Sequence, residues 1–246
     1  MKALPALISC LLIPSAFAAH PLVTDDTGTQ GAKGNQIEFS TDWTQSAGGK
    51  TRAADMTYTR GLTEDLDLAL TIPGIYGAPR QQATGFNDLS IGAKWRFMDT
   101  DQFSLGIKPE WIPATANSAR GLGNGRDSFS LALIAQISLN DLTILINQSH
   151  AHNRFKNDDT RLENRARINQ TSAAVLYAIR DSVSLVADIG QRDSDASDQT
   201  AKTRFSVLGV IWSIHESLDL DAGVQRTRTP DETEKQWGIG ITWRFK

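Results

Sequence analysis

Two histidines, His150 and His152, stand two residues apart in the stretch SHAHNR, close to the NDD run at 157–159. Residues i and i+2 share a face of an extended strand, so the pair could offer two imidazoles to one metal ion. Ser149, His150 and Asn153 are also the residue types of a nucleophilic relay. Neighbours on a strand point to opposite faces, however, so these three cannot converge, and no GxSxG elbow is present. GLGNGRDS at 121–128 has the glycine spacing of a phosphate cradle but lacks GK[ST] and a following helix. These stretches read as solvated rim residues and a flexible turn. The sequence therefore leads us to expect no catalytic residue, no metal site, no cofactor-binding site and no enzyme.

A richer set of charges lies inside alternating stretches. IEFSTDW puts Ile37, Phe39 and Trp43 on one face and Glu38 and Asp42 on the other. ADMTY and LDLALTI set Asp55 and Asp67 against Met56, Tyr58, Leu68 and Leu70. LSIGAKWRF and FSLGIKPEW place Lys94, Arg96, Lys108 and Glu110 opposite Ile91, Trp95, Ile107 and Trp111. VSLVADIGQR and LDLDAGVQ do the same for Asp188, Arg192, Asp219 and Asp221. The closing KQWGIGITWRFK alternates Trp237, Ile239, Ile241, Trp243 and Phe245 with Gly238, Gly240, Thr242 and Arg244. FSLALIAQI, LTILINQ and TSAAVLYAI supply three more stretches, whereas RFSVLGVIW is apolar on both faces and its sides stay unassigned. Period two prevails and helical period is nearly missing, which is the pattern of strands.

Charges in mid-strand on one face require that face to meet water. Bulky apolar groups on the other then need lipid or a core. Connections decide between the two. Five are short (GLTEDLD, FMDTDQF, SLNDLT, AIRDSVS, SIHESLD), and they alternate with longer polar segments at 73–86, 113–126, 153–165, 193–202 and 229–234. The turn at Gly48 and Gly49 falls in the outer class by order. A soluble sandwich would have similar loops at both ends. Twelve strands of about ten residues, with short turns on one side and longer loops on the other, fit a transmembrane barrel. The expected class is all-β, an antiparallel up-and-down transmembrane β-barrel of about 12 strands spanning 36–246. Aromatics such as Trp43, Trp95, Trp111 and Trp237 fall near strand ends, as interface girdles do. The thirteen charges Glu38, Asp42, Asp55, Asp67, Lys94, Arg96, Lys108, Glu110, Asp188, Arg192, Asp219, Asp221 and Arg244 are the candidates to line the lumen. Mixed signs suit either a selective pore or an interior filled by ion pairs.

The chain opens with Lys2, an apolar run and the small-x-small AFA at 16–18, the signature of a secretory signal peptide at 1–18. The single cysteine, Cys10, falls inside it, so no disulfide is expected. Across 246 residues, 25 Lys+Arg meet 28 Asp+Glu, for a net charge of −3, which is no nucleic-acid footprint. Mean hydropathy is −0.30, as ordinary for a barrel with a polar lumen as for a soluble protein. Residues 19–35, with Asp25, Asp26, Gly28, Gly31 and Gly34, form a polar N-terminal segment on the periplasmic side. It could be a plug or latch, but the favoured reading is an ordered entry to the first strand.

HPLVTDDTGTQGAKGNQIEF at 20–39, NDLSIGAKWRF, KPEWIPATANSARGLGNGRDSFSLALI and the closing aromatic strand resemble a family of bacterial outer-membrane proteins named for the meta-pathway of phenol degradation. Its members are commonly classed as candidate transporters. HPLVTDDTGTQG is the most specific stretch; the others are generic to barrels. Members often show PTG where this chain has Pro113, Ala114 and Thr115. The penultimate Phe245, with Lys246 after it, departs from the terminal aromatic of the usual assembly signal. The resemblance carries no catalytic residues. It implies a cell outer membrane location, lipid and the barrel-assembly machinery as partners, and a small-molecule solute. The expected function is a channel or transporter for small solutes, hydrophobic or aromatic ones being the candidates, by passive diffusion. Its rivals are an outer-membrane enzyme of the phospholipase type and a closed structural or adhesive barrel. Substrate, oligomeric state and energy source are not written in the residues.

Overall fold

The computed structural model describes residues 20–246 apart from Gln81 and Pro230, so the segment 1–18 expected to be a signal peptide, with Cys10, lies outside the described residues. The wall is built from β1 (Asn35–Ser46), β2 (Gly49–Gly61), β3 (Leu66–Gly77), β5 (Ser90–Asp99), β6 (Phe103–Ile112) and β7 (Ser128–Leu139). It continues through β8 (Leu142–His152), β9 (Arg167–Arg180), β10 (Val183–Arg192), β11 (Thr203–His215), β12 (Leu218–Arg228) and β13 (Thr233–Phe245). A two-residue β4 (Gly85–Phe86) pairs with Gly74 and Ile75 above the wall, inside the segment expected to be a loop. Each wall strand runs antiparallel to its sequence neighbours, and β1 also pairs with β13, setting Ile37 opposite Trp243 and Trp43 opposite Trp237. This closure leaves no free edge, the condition for sheet in hydrocarbon, where an unpaired peptide group costs several kcal/mol.

The short connections are tight hairpins. Between β7 and β8 only Asn140 and Asp141 intervene, and Asn140 takes φ +49°, as two-residue hairpin turns demand. The longer connections carry local structure of their own. Asn157 caps a short helix α1 (Asp158–Glu163) by accepting from the amides of Asp159 and Thr160. Helical period is too brief there to register in sequence.

Burial follows the alternation. On β13, Trp237, Ile239, Ile241 and Trp243 are 40–51 % exposed, while Gly238 and Thr242 between them are buried. The same holds for Leu131 and Leu133 on β7 and for Val175 and Tyr177 on β9. A belt of this kind circling the molecule exceeds the few hundred Å² of contiguous apolar surface that soluble monomers expose, so its solvent is lipid. The protein is an outer-membrane barrel. The structure also assigns β11, which the sequence left open: Phe205, Val207 and Ile211 point inward and Leu208, Val210 and Trp212 outward. Its inner face is apolar because it helps form a cluster of Leu145, Ala174, Leu176, Val186 and Ile211 inside the barrel.

The seam between β3 and β5 is the shortest in the wall. It joins Leu66–Thr71 to Trp95–Ser90, and the outer half of β3 meets β4 instead. Above the membrane the connections are tied to one another. Asp88 accepts from the amides of Ala116 at 2.8 Å and Asn124 at 2.9 Å, joining the β4–β5 link to the β6–β7 loop around buried Leu122. Arg165 donates to Ser194 O at 3.1 Å, and Ala47 N donates to Glu232 at 2.5 Å. Lys202 holds the Asp193 carboxyl well below the usual carboxylate range, with help from the Asn169 amides.

A test follows from the outward tryptophans. In lipid vesicles, acyl chains brominated at mid-depth should quench the emission of Trp43, Trp95, Trp111, Trp212, Trp237 and Trp243 strongly, and aqueous iodide only weakly. Strong iodide quenching would contradict the assignment of faces.

Candidate functional site

The N-terminal residues 20–34 lie inside the barrel and run around its inner wall rather than hanging below it. The path can be followed from bond to bond. His20 sits between β1 and β12, its Nδ1 bonded to Asp221 and its Nε2 3.5 Å from Asp42. Pro21 packs on Gly223, where a Cβ would come within 2.5 Å of the ring, and Gly238 leaves equal room for the His20 imidazole. Glycine on the lumen face of β12 and β13 is thus a steric requirement of a chain passing alongside. Leu22 packs on the apolar cluster of β8–β11. Val23 N and Thr24 N each donate to Asp188 Oδ2 at 2.8 Å, and Thr24 Oγ1 reaches both Asp188 Oδ1 and Ser172 Oγ at 2.8 Å.

The charged part crosses to the other wall. Asp25 pairs with Lys108 at 3.0 Å and Asp26 with Lys94 at 3.3 Å. The Asn147 amide, turned to satisfy both groups, accepts from Asp25 N at 2.7 Å and donates to Asp25 O at 3.0 Å. Thr27 bonds Ser104 at 2.5 Å and Gln136 at 3.1 Å. Gln30 N donates to both Asp67 oxygens, at 3.1 and 3.0 Å, before Lys33 N joins Gly61 O at 3.0 Å and the chain enters β1. The segment therefore touches the wall from β12 round to β2.

Of the thirteen charges singled out in the sequence, Asp42, Asp67, Lys94, Lys108, Asp188 and Asp221 are bonded to or paired with this segment. Others are held by wall neighbours or face open space. Glu110 bonds Ser130 at 2.7 Å and lies 3.5 Å from Lys108, and Arg244 pairs with Asp219 at 2.7 Å and bonds Gln36 at 3.1 Å. Glu38 accepts from Gln36, and Asp55 faces a cavity. Arg96 and Arg192 stand apart from the rest. Arg96 pairs with Asp65 and Asp99 at the short-turn end, and Arg192 with Asp195 in an outer loop. His150 is exposed at the outer end of β8, with Nδ1 2.9 Å from Asn169 Oδ1. No group of three or more metal-ligating side chains occurs among the described residues.

Beside the segment lies a cavity of about 270 Å³. Pro21, Leu22, Val23 and Val207 make its apolar side; Glu38, Asp42 and Asp55 carry its charge, and His20 is the one basic group among its lining residues. A pocket of about 30 Å³ continues from it to Asp221. Sequence reasoning missed the seats of the segment, namely Ser104, Gln136, Asn147 and Ser172. The one available signal was polar, uncharged residues at inward positions of strands that are otherwise apolar.

A sequence profile of the family described as "Putative MetA-pathway of phenol degradation" matches residues 21–245. The chain belongs to that family. No curated protein matches it. Among solved structures, an outer membrane channel from Pseudomonas putida F1 superposes with a TM-score of 0.69 at 14 % identity, covering 89 % of this chain and 98 % of that one. The KdgM porin gives 0.63 at 7 % identity over 86 % and 99 % of the two chains. The CymD monoaromatic hydrocarbon channel gives 0.51 at 8 % over 87 % and 89 %. At these identities the likeness is one of fold, and this family member shares the barrel of all three.

Hydrogen bonds to a charged acceptor contribute about 1.5–3 kcal/mol each. Because the Asp188 bonds act as a unit, Asp188→Ala should weaken docking of the segment by on the order of 3 kcal/mol. The barrel should still fold and run heat-modifiably on gels, while protease added from the short-turn side trims the N-terminus. Equal resistance in wild type and variant would show that Asp188 does not hold the segment.

Proposed function

We propose that the protein is a channel of the outer membrane that passes small solutes, single-ring aromatic compounds among them, by passive diffusion. One observation carries the reading: the cavity of about 270 Å³ between the N-terminal segment and the wall. A dry apolar cavity of about 150 Å³ already takes up benzene. The space here suits one substituted ring and is too small for a chain of sugars. Its lining favours the same class. Pro21, Leu22 and Val207 offer apolar contact, and the carboxylates of Asp42 and Asp55 can accept from a phenolic hydroxyl or an amine. The same carboxylates repel anions such as benzoate. CymD, a monoaromatic hydrocarbon channel built on a similar barrel, and the phenol-degradation description of the family point the same way.

Lumen charges then act as the selectivity element and the N-terminal segment as the constriction. No energy source is needed, because diffusion down a gradient suffices. Reconstituted in planar bilayers, the protein should give small discrete conductance steps that favour cations over chloride. Millimolar phenol should reduce them, and benzoate should leave them unchanged. A folded, heat-modifiable barrel that neither conducts nor admits phenol into vesicles would overturn the channel reading in favour of a structural barrel.

A further inference from the structure

Some cations at the short-turn rim and in the outer loops are paired. Arg96 has Asp65 and Asp99, Arg161 has Asp158, Arg192 has Asp195, and Lys202 has Asp193. Six others, Lys50, Arg52, Arg204, Arg226, Arg228 and Lys235, have neither an ion pair nor a side-chain hydrogen bond among the described residues. All six are exposed, on the outward face at the loop ends of β2, β11, β12 and β13.

Register brings them together. Arg204 stands directly opposite Arg228, and Arg226 directly opposite Lys235. Lys235 and Lys50 flank the same residue, Gln45 of β1. The next row toward the membrane centre is Arg52, Trp43, Trp237, Val224 and Leu208. So Arg52 lies level with, and the other five cations just above, a tryptophan pair and apolar residues that face lipid, at headgroup level in the outer leaflet. The carboxylates nearest in sequence face elsewhere or are engaged. Glu234 alternates with Lys235 and so faces inward, and Glu232 accepts from Ala47 N.

Like charges directly opposite on neighbouring strands are destabilising. Beside hydrocarbon, where water is scarce, the penalty grows. An arrangement of two such facing pairs is relieved by an anion lying across them, and the guanidinium fork matches a phosphate bidentately. We propose that this face of the barrel is a binding site for the phosphate groups of an acylated, phosphorylated glycolipid of the outer leaflet. Phosphate would bridge Arg226, Arg228, Arg204 and Lys235, while the acyl chains lie along Trp237, Val224 and Leu208. A free anion would gain the first contact only; a lipid gains both.

The test uses the whole folded barrel in neutral detergent, free of divalent cations, with binding read from thermal unfolding and tryptophan emission. Diphosphorylated lipid A should bind at least about tenfold more tightly than lipid A stripped of its phosphates, and inorganic phosphate at equal concentration should bind far more weakly. The triple variant Arg226→Ser, Arg228→Ser, Lys235→Ser should lose about tenfold in affinity. Arg226→Lys with Arg228→Lys, which keeps the charge, should retain most of it. Should the triple variant not run as a heat-modifiable barrel, Arg228→Ser alone, at the end of its strand, should still lose a few-fold. Equal binding of the two lipid forms, equal binding by inorganic phosphate, or no loss on removing the charges would each overturn the proposal. None of these outcomes bears on whether the lumen conducts.

Discussion

A carboxylate held at membrane depth must be hydrogen-bonded, paired or wet, and that constraint organises the inside of this barrel. Asp188 is buried to 1 % exposure and is satisfied by the amides of Val23 and Thr24 and the Thr24 hydroxyl. Asp67 is equally buried and is satisfied by Gln30 N. Lys94 and Lys108 in turn receive Asp26 and Asp25. The segment and the lumen charges thus complete each other. Removing either side leaves buried polar groups without partners, which costs about 1–3 kcal/mol apiece and more for charges. Within the hydrocarbon belt, below the cations at the loop ends, the outer face needs no such pairing, because its apolar side chains meet lipid.

This mutual completion accounts for features that look unrelated along the chain. Glycines on the inner face of β12 and β13 make room for Pro21 and His20. The apolar inner face of β11 belongs to the cluster that receives Leu22. Acidic residues beyond those the segment engages, Glu38 and Asp55 among them, are left facing the cavity and give it its sign. For a channel of the kind proposed, the constriction and the selectivity of the pore have one origin, the way an irregular polar segment is fitted into a charged ring.

Much of the wall was legible because period two is a direct imprint of a surface between two solvents. The closing strand alone, with Trp237, Ile239, Ile241 and Trp243 set against glycines and Arg244, was enough to raise the question of lipid. A barrel of the expected class must close by pairing its last strand with its first, and β13 does pair with β1. What could not be read was partnership inside the lumen. Asp188 and Thr24 are 164 positions apart, and nothing in local pattern joins them. Nor could RFSVLGVIW be assigned, since its inner face is apolar on account of packing within the lumen. Helix α1 was invisible for a different reason: six residues are less than two turns and show no period.

Constriction, selectivity and the satisfaction of the lumen charges all require residues 20–34 to lie within the barrel in the membrane, and a cross-link tests that most directly. The one cysteine of the sequence, Cys10, lies outside the described residues. Thr24 Oγ1 and Ser172 Oγ are 2.8 Å apart. A chain carrying Thr24→Cys and Ser172→Cys should oxidise to an intramolecular disulfide in intact outer membranes, visible as a gel shift reversed by reductant. Reaction of both thiols with a water-soluble maleimide, with no disulfide formed, would contradict that placement.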